Sequence, residues 1–216
     1  MDIIVKDNST ELWLNKEEGK STILSIELLK SFEKIIVEID KTKPLIILVP
    51  SGIAGANIKE MTSMTKTEAY EYSLFGSNVL KKILEFPSIV VFAADKYLFG
   101  GGFELALTAD IRIATQTCKF GFPEVSLGII PGFGGIELSV FRFGNRGSEL
   151  FLLGEIKTRA NSSLSVFEYE LTNWEEVLQK KDKMIGRTEE ISRKALRAAK
   201  QSYVEGMNFC PEKIAK

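Results

Sequence analysis

The sequence predicts an α/β protein, and three observations carry that prediction. Two short, wholly apolar runs, Leu45–Val49 and Ile89–Ala94, have the length and composition of strands buried on both faces. Longer segments of helical period alternate with them. A glycine triplet, Gly100–Gly102, lies just beyond the second run and opens an apolar helical pattern containing Glu104. Open α/β sheets place ligands at such strand-to-helix junctions.

Taken in order, Asp2–Val5 and Thr10–Leu14 read as a strand pair around the polar turn Lys6–Ser9, and a charged loop follows. From Ser25, Leu28, Phe32, Ile35 and Ile39 recur at helical spacing until Pro44 ends the segment. Pro50–Asn57, PSGIAGAN, reads as a small-residue loop after the first buried strand. It is either a ligand-facing loop or an ordinary connection. Thr67–Phe86 reads as a helix with Tyr72, Phe75, Val79 and Ile83 inward, stopped by Pro87. Ile111–Ala114 and the stretch opening at Cys118 read as further strands. Ile129–Gly135 reads as a turn-rich loop and Ile136–Phe143 as a helix.

Beyond Lys157 the character changes. Trp174–Lys183 and Thr188–Val204 read as polar helices, with Ile191, Ala195 and Ala198 lining the second. The expected organisation is a core over residues 1–156 and a helical segment over 157–216.

Composition excludes several chemistries. The 216 residues contain no histidine, which removes Ser–His and Cys–His nucleophiles and most zinc sites. Acid–base work then falls to carboxylates, lysine or tyrosine. The net charge of −1 provides no basic field for nucleic acid or an anionic membrane. Apolar runs stay far below the ~18–20 residues of a membrane span. The two cysteines, Cys118 and Cys210, stand far apart. With no signal-peptide pattern at the N-terminus, a cytoplasmic protein is expected.

Four features are candidates for chemistry: the Ala54–Asn57 loop, the Gly100–Gly102 turn, Glu104 and Glu124. Each has a plain alternative. A glycine triplet is often a flexible turn, and this one does not fit the dinucleotide fingerprint because Leu105 takes the last glycine position. Glu104 and Glu124 can each be helix-start residues that complement a dipole.

In combination they resemble the enoyl-CoA hydratase/isomerase, or crotonase, family. AGANIKEM (Ala54–Met61) is similar to its AGADxKEM loop. KYLFGGGFELALTADIRIAT (Lys96–Thr115) is similar to its GxxxGGGxELAxxCDxxIA segment. KFGFPEVSLGIIPGFGG (Lys119–Gly135) is similar to its FGxPEVxLGxxPGxGG segment, and LLGEIKTRA (Leu152–Ala160) to its LTGxxIxAxxA segment.

The resemblance implies a crotonase-like ββα spiral core, with a C-terminal helical region shortened relative to the family. It implies an acyl-CoA substrate, no other cofactor and no metal. Backbone N–H groups of Ala56 and Gly101 would form the oxyanion hole. Glu104 and Glu124 would be the catalytic pair, Glu104 activating water and Glu124 moving the proton at Cα. Ala54, Gly55, Ile58, Gly100, Pro131 and Gly132 would border the substrate. Lys16, Lys20 and Lys59 are candidate phosphate contacts, as are Arg187, Arg193, Lys194, Arg197 and Lys200 on the last helix; a solvated surface is the alternative for all of them.

Retention of both glutamates points to an enoyl-CoA hydratase. The alternatives are a Δ3-Δ2 enoyl isomerase, a dehydratase of carrier-protein-bound acyl chains, and a non-catalytic binding protein. A homotrimer or dimer of trimers is implied as well. The chain departs from the family at Asn57, where the family has Asp, and at Ile136–Leu138, where it has Thr-Gln-Arg. It departs also at Asp95–Lys96, where the family has Asn-Gly, which leaves a lysine in a turn that suits glycine.

Overall fold

The computed structural model describes residues 1–15, 20–207 and 210–214, without the side chains of Ile58, Lys59 and Lys213. Among the described residues ten strands form two sheets. The larger contains β1 (Asp2–Val5), β2 (Thr10–Trp13), β4 (Leu45–Val49), β6 (Val90–Ala94), β8 (Ile111–Thr115) and β10 (Tyr169–Leu171), in that spatial order. The smaller contains β3 (Thr22–Leu24), β5 (Ile53–Ala56), β7 (Tyr97–Phe99) and β9 (Lys119–Gly121). Among the strand pairs of the described residues, β1–β2 is antiparallel and the rest are parallel.

The chain visits the sheets by turns. It gives a strand to the large sheet, a strand to the small sheet, then helices, and steps one place along both sheets each time. The helices after the first three visits to the small sheet are α1 (Ile26–Glu38), then α2 (Ile58–Met61) with α3 (Lys66–Leu84), then α4 (Gly101–Thr108). This is the ββα spiral expected from the resemblance. It also places the loop read at 50–57 differently, since that stretch contains β5 and its small residues are strand residues.

The apolar runs of β4 and β6 follow from the two faces of the large sheet. Leu45, Ile47, Val49, Val90 and Phe92 point into the main core with α1 and α3. Ile46, Leu48, Val91 and Ala93 point the other way, where Val177 and Ile185 of α6 (Trp174–Thr188) cover them. Alternate residues of a strand face opposite sides, so covering both sides leaves no polar position. On the α6 side, Glu11 of β2 is held by Lys181 Nζ at 2.7 Å and by Trp13 Nε1 at 3.0 Å. This buried carboxylate keeps both oxygens bonded, and its pKa is lowered: burial raises it, and the lysine, Trp13 and Lys6 outweigh that.

Two helical stripes differ from expectation. In α1 the buried residues are Leu29, Phe32, Ile35 and Ile36, while Leu28 and Ile39 are only partly covered. The helix is apolar over a wide arc, and packing chose its centre. In α7 (Arg193–Glu205), Ala195 and Ala198 are exposed, as is Ile191 just ahead of it. The inward line is Leu196, Lys200 and Val204. Lys200 is buried because its Nζ donates to Ser88 O at 2.9 Å and pairs with Asp110 Oδ2 at 2.7 Å. A paired lysine on the inner face is invisible to a hydrophobic reading. It is also a structural residue, not a free phosphate contact.

At the β6–β7 turn, Lys96 has φ 64°. The turn is fixed from outside: Thr115 Oγ1 donates to Asp95 Oδ1 at 2.6 Å, and Lys119 N donates to Lys96 O at 2.9 Å. The left-handed conformation costs a non-glycine residue roughly 1–2 kcal/mol. Among the described residues no helix is long and apolar enough to cross a membrane.

The Lys96 turn and the packing of α4 on β5 give opposite predictions for glycine. Lys96→Gly is expected to leave the stability to urea unchanged or raise it by up to about 1 kcal/mol, because the strain offsets the added chain entropy. Gly102→Ala is expected to lower it by about 1–3 kcal/mol, since its Cβ would lie 2.4 Å from Ile53 Cγ2. Equilibrium urea unfolding checks both; a loss above about 1 kcal/mol for Lys96→Gly would remove the strain argument.

Candidate active site

A cavity of about 510 Å³ opens between the end of β5, the start of α4, α3 and the loop that follows β9. Ala54, Gly55, Ala56, Gly100, Glu124 and Gly132 line it. Met61, Met64, Tyr72, Leu127, Ile129 and Ile130 make the remaining wall largely apolar.

Part of the lining depends on a glycine. Gly100 has φ 50° and ψ −126°, and a Cβ there would lie 2.5 Å from Glu124 Oε1. Without a side chain at 100, the Glu124 carboxyl rests directly on the backbone at the start of α4. Gly100 O accepts the N–H groups of Phe103 and Glu104 at 2.8 and 2.9 Å and closes the first helical turn. Gly101 and Gly102 are the first helical residues, and such positions have no carbonyl one turn earlier to bond. Their amides carry the positive end of the helix dipole.

Glu104 lies one turn into α4 and is 1% exposed. Its Oε1 accepts from Phe133 N and Gly135 N, each at 2.8 Å. Burial pushes its pKa up to about 8, with help from the charges of Glu124 and Glu137, while the two amides pull it back. Glu124 lies in a 3-10 turn, Pro123–Leu127, that Pro123 opens. Its Oε2 is buried without a hydrogen-bond partner among the described residues. Burial lifts its pKa to about 7. Burial raises both carboxyls and the charge of Glu124 raises Glu104 further, so between about pH 7 and 8 the two hold one proton, which favours Glu104.

The structure thus gathers Ala54, Gly55, Ala56, Gly100, Glu124 and Gly132 around one cavity. Gly101 and Glu104 are buried and do not border it. Pro131 is buried within the loop. Lys16 lies outside the described residues, as do the side chains of Ile58 and Lys59. Lys20, Arg187, Arg193, Lys194 and Arg197 are exposed.

Sequence reasoning missed the part played by Phe133 and Ser73. Phe133 supplies an amide to Glu104, and Ser73 Oγ donates to Gly132 O. An aromatic residue flanked by glycines in IIPGFGG was the available signal, since a large apolar side chain in a glycine-rich loop needs a prepared seat.

Comparison with known proteins identifies the family and the fold. The profile of the enoyl-CoA hydratase/isomerase family matches residues 21–214. A crotonyl-CoA hydratase of Syntrophomonas wolfei is 31% identical over 202 residues, covering 91% of this chain and 78% of that protein. A short-chain-enoyl-CoA hydratase of Clostridium acetobutylicum is 32% identical over 139 residues, covering 56% of this chain and 53% of that protein. The matched region therefore spans from about half to about four fifths of these relatives. In fold, the enoyl-CoA hydratase of Bacillus anthracis superimposes with a TM-score of 0.85 at 23% identity, covering 99% of this chain and 88% of that one. That of Geobacillus kaustophilus gives 0.86 at 23% identity, covering 99% and 83%. With a profile match across nearly the whole chain and a fold shared over almost its full length, this protein belongs to the enoyl-CoA hydratase/isomerase family.

Proposed function

We propose that this chain is an enoyl-CoA hydratase, adding water reversibly and syn across the double bond of a 2-enoyl-CoA. The observation that carries the reading is the carboxyl pair: Glu124 bordering an apolar cavity, and Glu104 buried nearby on two backbone amides. The names of the curated relatives support it.

In this reading the thioester oxygen accepts from the N–H groups of Ala56 and Gly101. Addition of hydroxide at Cβ turns the thioester into an enolate, and its charge builds on that oxygen. Preorganised donors at a helix start stabilise it; loss of one such donor costs roughly 3–4 kcal/mol. Glu104, as carboxylate, takes a proton from the water as its oxygen bonds to Cβ; because Glu104 holds a proton more tightly than Glu124, this is the less populated of the pair's two one-proton forms. Glu124, as acid, gives its proton to Cα. The pair begins and ends with one proton: Glu124 loses its own to Cα, Glu104 gains one from water, and exchange with solvent restores the starting form before the next cycle.

Isomerisation of a 3-enoyl-CoA is the second reading. It is favoured by one observation: Glu124 borders the cavity and Glu104 does not. A single carboxylate suffices to carry a proton from C2 to C4. Further parts of the proposal are acceptance of carrier-protein-bound chains, assembly as a homotrimer or dimer of trimers, and a cytoplasmic location. The exposed Leu152 and Leu153, at 64% and 69%, support assembly, and two unpaired cysteines support a reducing compartment.

Crotonyl-CoA hydration is expected to fall by about 100-fold or more in both Glu124→Gln and Glu104→Gln. Unchanged rates in both would overturn the hydratase reading, and loss in Glu124→Gln alone, with 3-enoyl-CoA turned over, would favour the isomerase. Because the active form holds one proton, kcat/KM is expected to peak between about pH 7 and 8 and fall on either side.

Stability gives an independent check. The unfolded Glu104 loses its proton near the ordinary 4.5, whereas the folded one keeps it to about 8. Between those values the folded state binds more protons, so this group's contribution falls as pH rises through the interval. Glu104→Gln is therefore expected to gain Tm relative to the parent from pH 5 to pH 8, by a few degrees; an unchanging difference would exclude the raised pKa.

A further inference from the structure

We propose that Ser73 is a positioning residue for Glu104, acting through the Gly132–Phe133 peptide group. This rests on the reading of Glu104 as the carboxylate that activates water. One planar amide joins the two residues. Its carbonyl, Gly132 O, accepts from Ser73 Oγ of α3, and its N–H, on Phe133, donates to Glu104 Oε1 at 2.8 Å. A hydroxyl on α3 is thereby connected to a carboxylate on α4 through a single peptide unit.

The connection has two physical consequences. The first is orientation. Rotation of that peptide would withdraw its N–H from Glu104, and the Ser73 bond holds the carbonyl end against it. The second is polarisation. An amide whose carbonyl accepts a hydrogen bond becomes a stronger donor at its N–H, and chains of such bonds reinforce one another. Ser73 in this way strengthens one of the two bonds that favour the anionic form of Glu104.

Helix α3 is shaped for this contact. Gly76 lies one turn beyond Tyr72, and a Cβ on it would fall 2.3 Å from the Phe133 ring. The ring sits in that gap and meets Tyr72 edge-on, with centroids 5.3 Å apart. Ser77 stands close by, but its hydroxyl reaches Ser73 O at 2.7 Å and Gly132 O only at 3.4 Å. It is a reserve donor to the same carbonyl. The charged groups acting on Glu104 are Glu124, from the 3-10 turn, and Glu137 of α5 (Gly135–Phe143). Tyr72 faces it from α3, and its own pKa is raised by burial, then by Glu60 and Glu104. The acidic neighbours oppose ionisation of Glu104, so the two amides carry the opposing influence.

The test uses the full chain and crotonyl-CoA. Ser73→Ala is expected to lower kcat at pH 7 by about 3- to 10-fold, with KM changing less than about 2-fold, and to move the alkaline limb of the pH profile, which reports Glu104, upward. Ser73→Ala with Ser77→Ala is expected to move it further, since the reserve donor is gone. Ser73→Thr, which keeps the hydroxyl, is expected to restore the limb. In a Glu104→Gln background, Ser73→Ala is expected to add nothing. An unmoved limb, a full effect in the Glu104→Gln background, or a limb not restored by threonine would overturn the positioning role. Full hydration activity in Glu104→Gln would instead overturn the reading beneath it, so the two failures are distinguishable.

Discussion

A carboxyl group with almost no contact with water must find its partners in the protein, and Glu104 finds them in a loop. Its Oε1 accepts the amides of Phe133 and Gly135, which belong to a segment far from α4 in sequence. Most of the site's arrangement follows from that requirement. The loop must approach α4 closely, and Gly135 allows it, since a Cβ there would press on Phe122 and on Glu104 Cγ. The ring of Phe133 needs a seat, which α3 supplies. The start of α4 must be bare for Glu124 to rest on it.

The far end of the same helix is treated in the opposite way. Arg142 donates to Leu107 O at 2.6 Å and Ala109 O at 2.7 Å, and Arg112 donates to Ala109 O at 3.0 Å. Two guanidinium groups thus close the carbonyl end of α4, where cations are favoured by the dipole. Arg112 is itself held by Val166 O and by Glu168. Helix α4 is anchored by charge at one end and left open toward a cavity at the other.

The parts legible in the sequence were those where local chemistry leaves little choice. Leu45–Val49 has no polar position, so it had to be a strand covered twice. Gly100–Gly102 followed by Glu104, and Pro123 followed by Glu124, mark helix starts with acids in place. The parts that were not legible depended on distant partners. Lys200 looked like a surface residue because its acceptors, Ser88 and Asp110, lie about a hundred positions away. The inward side of α1 was hidden because too many of its residues are apolar. Residues 53–56 looked like a loop because alanine and glycine seldom announce a strand. Phe133 marked a prepared seat but not its contact with Glu104, since the group it offers is a backbone amide.

The contact between Glu11 and Lys181 has a bearing on how the chain assembles. The partners are separated by 170 positions. Strand β2 is made early and Lys6 is at hand for its acid, yet the buried ammonium of Lys181 arrives only with α6, and α6 has nothing to cover until β4, β6 and β8 lie side by side. Long-range closures of this kind come at high entropic cost and slow the search. A nascent chain would therefore carry an uncovered sheet face with the charged Glu11 and its hairpin partners Lys6 and Trp13 on it. That exposed charge makes the waiting face less adhesive to other chains during synthesis, and it becomes a clamp only when the last layer arrives.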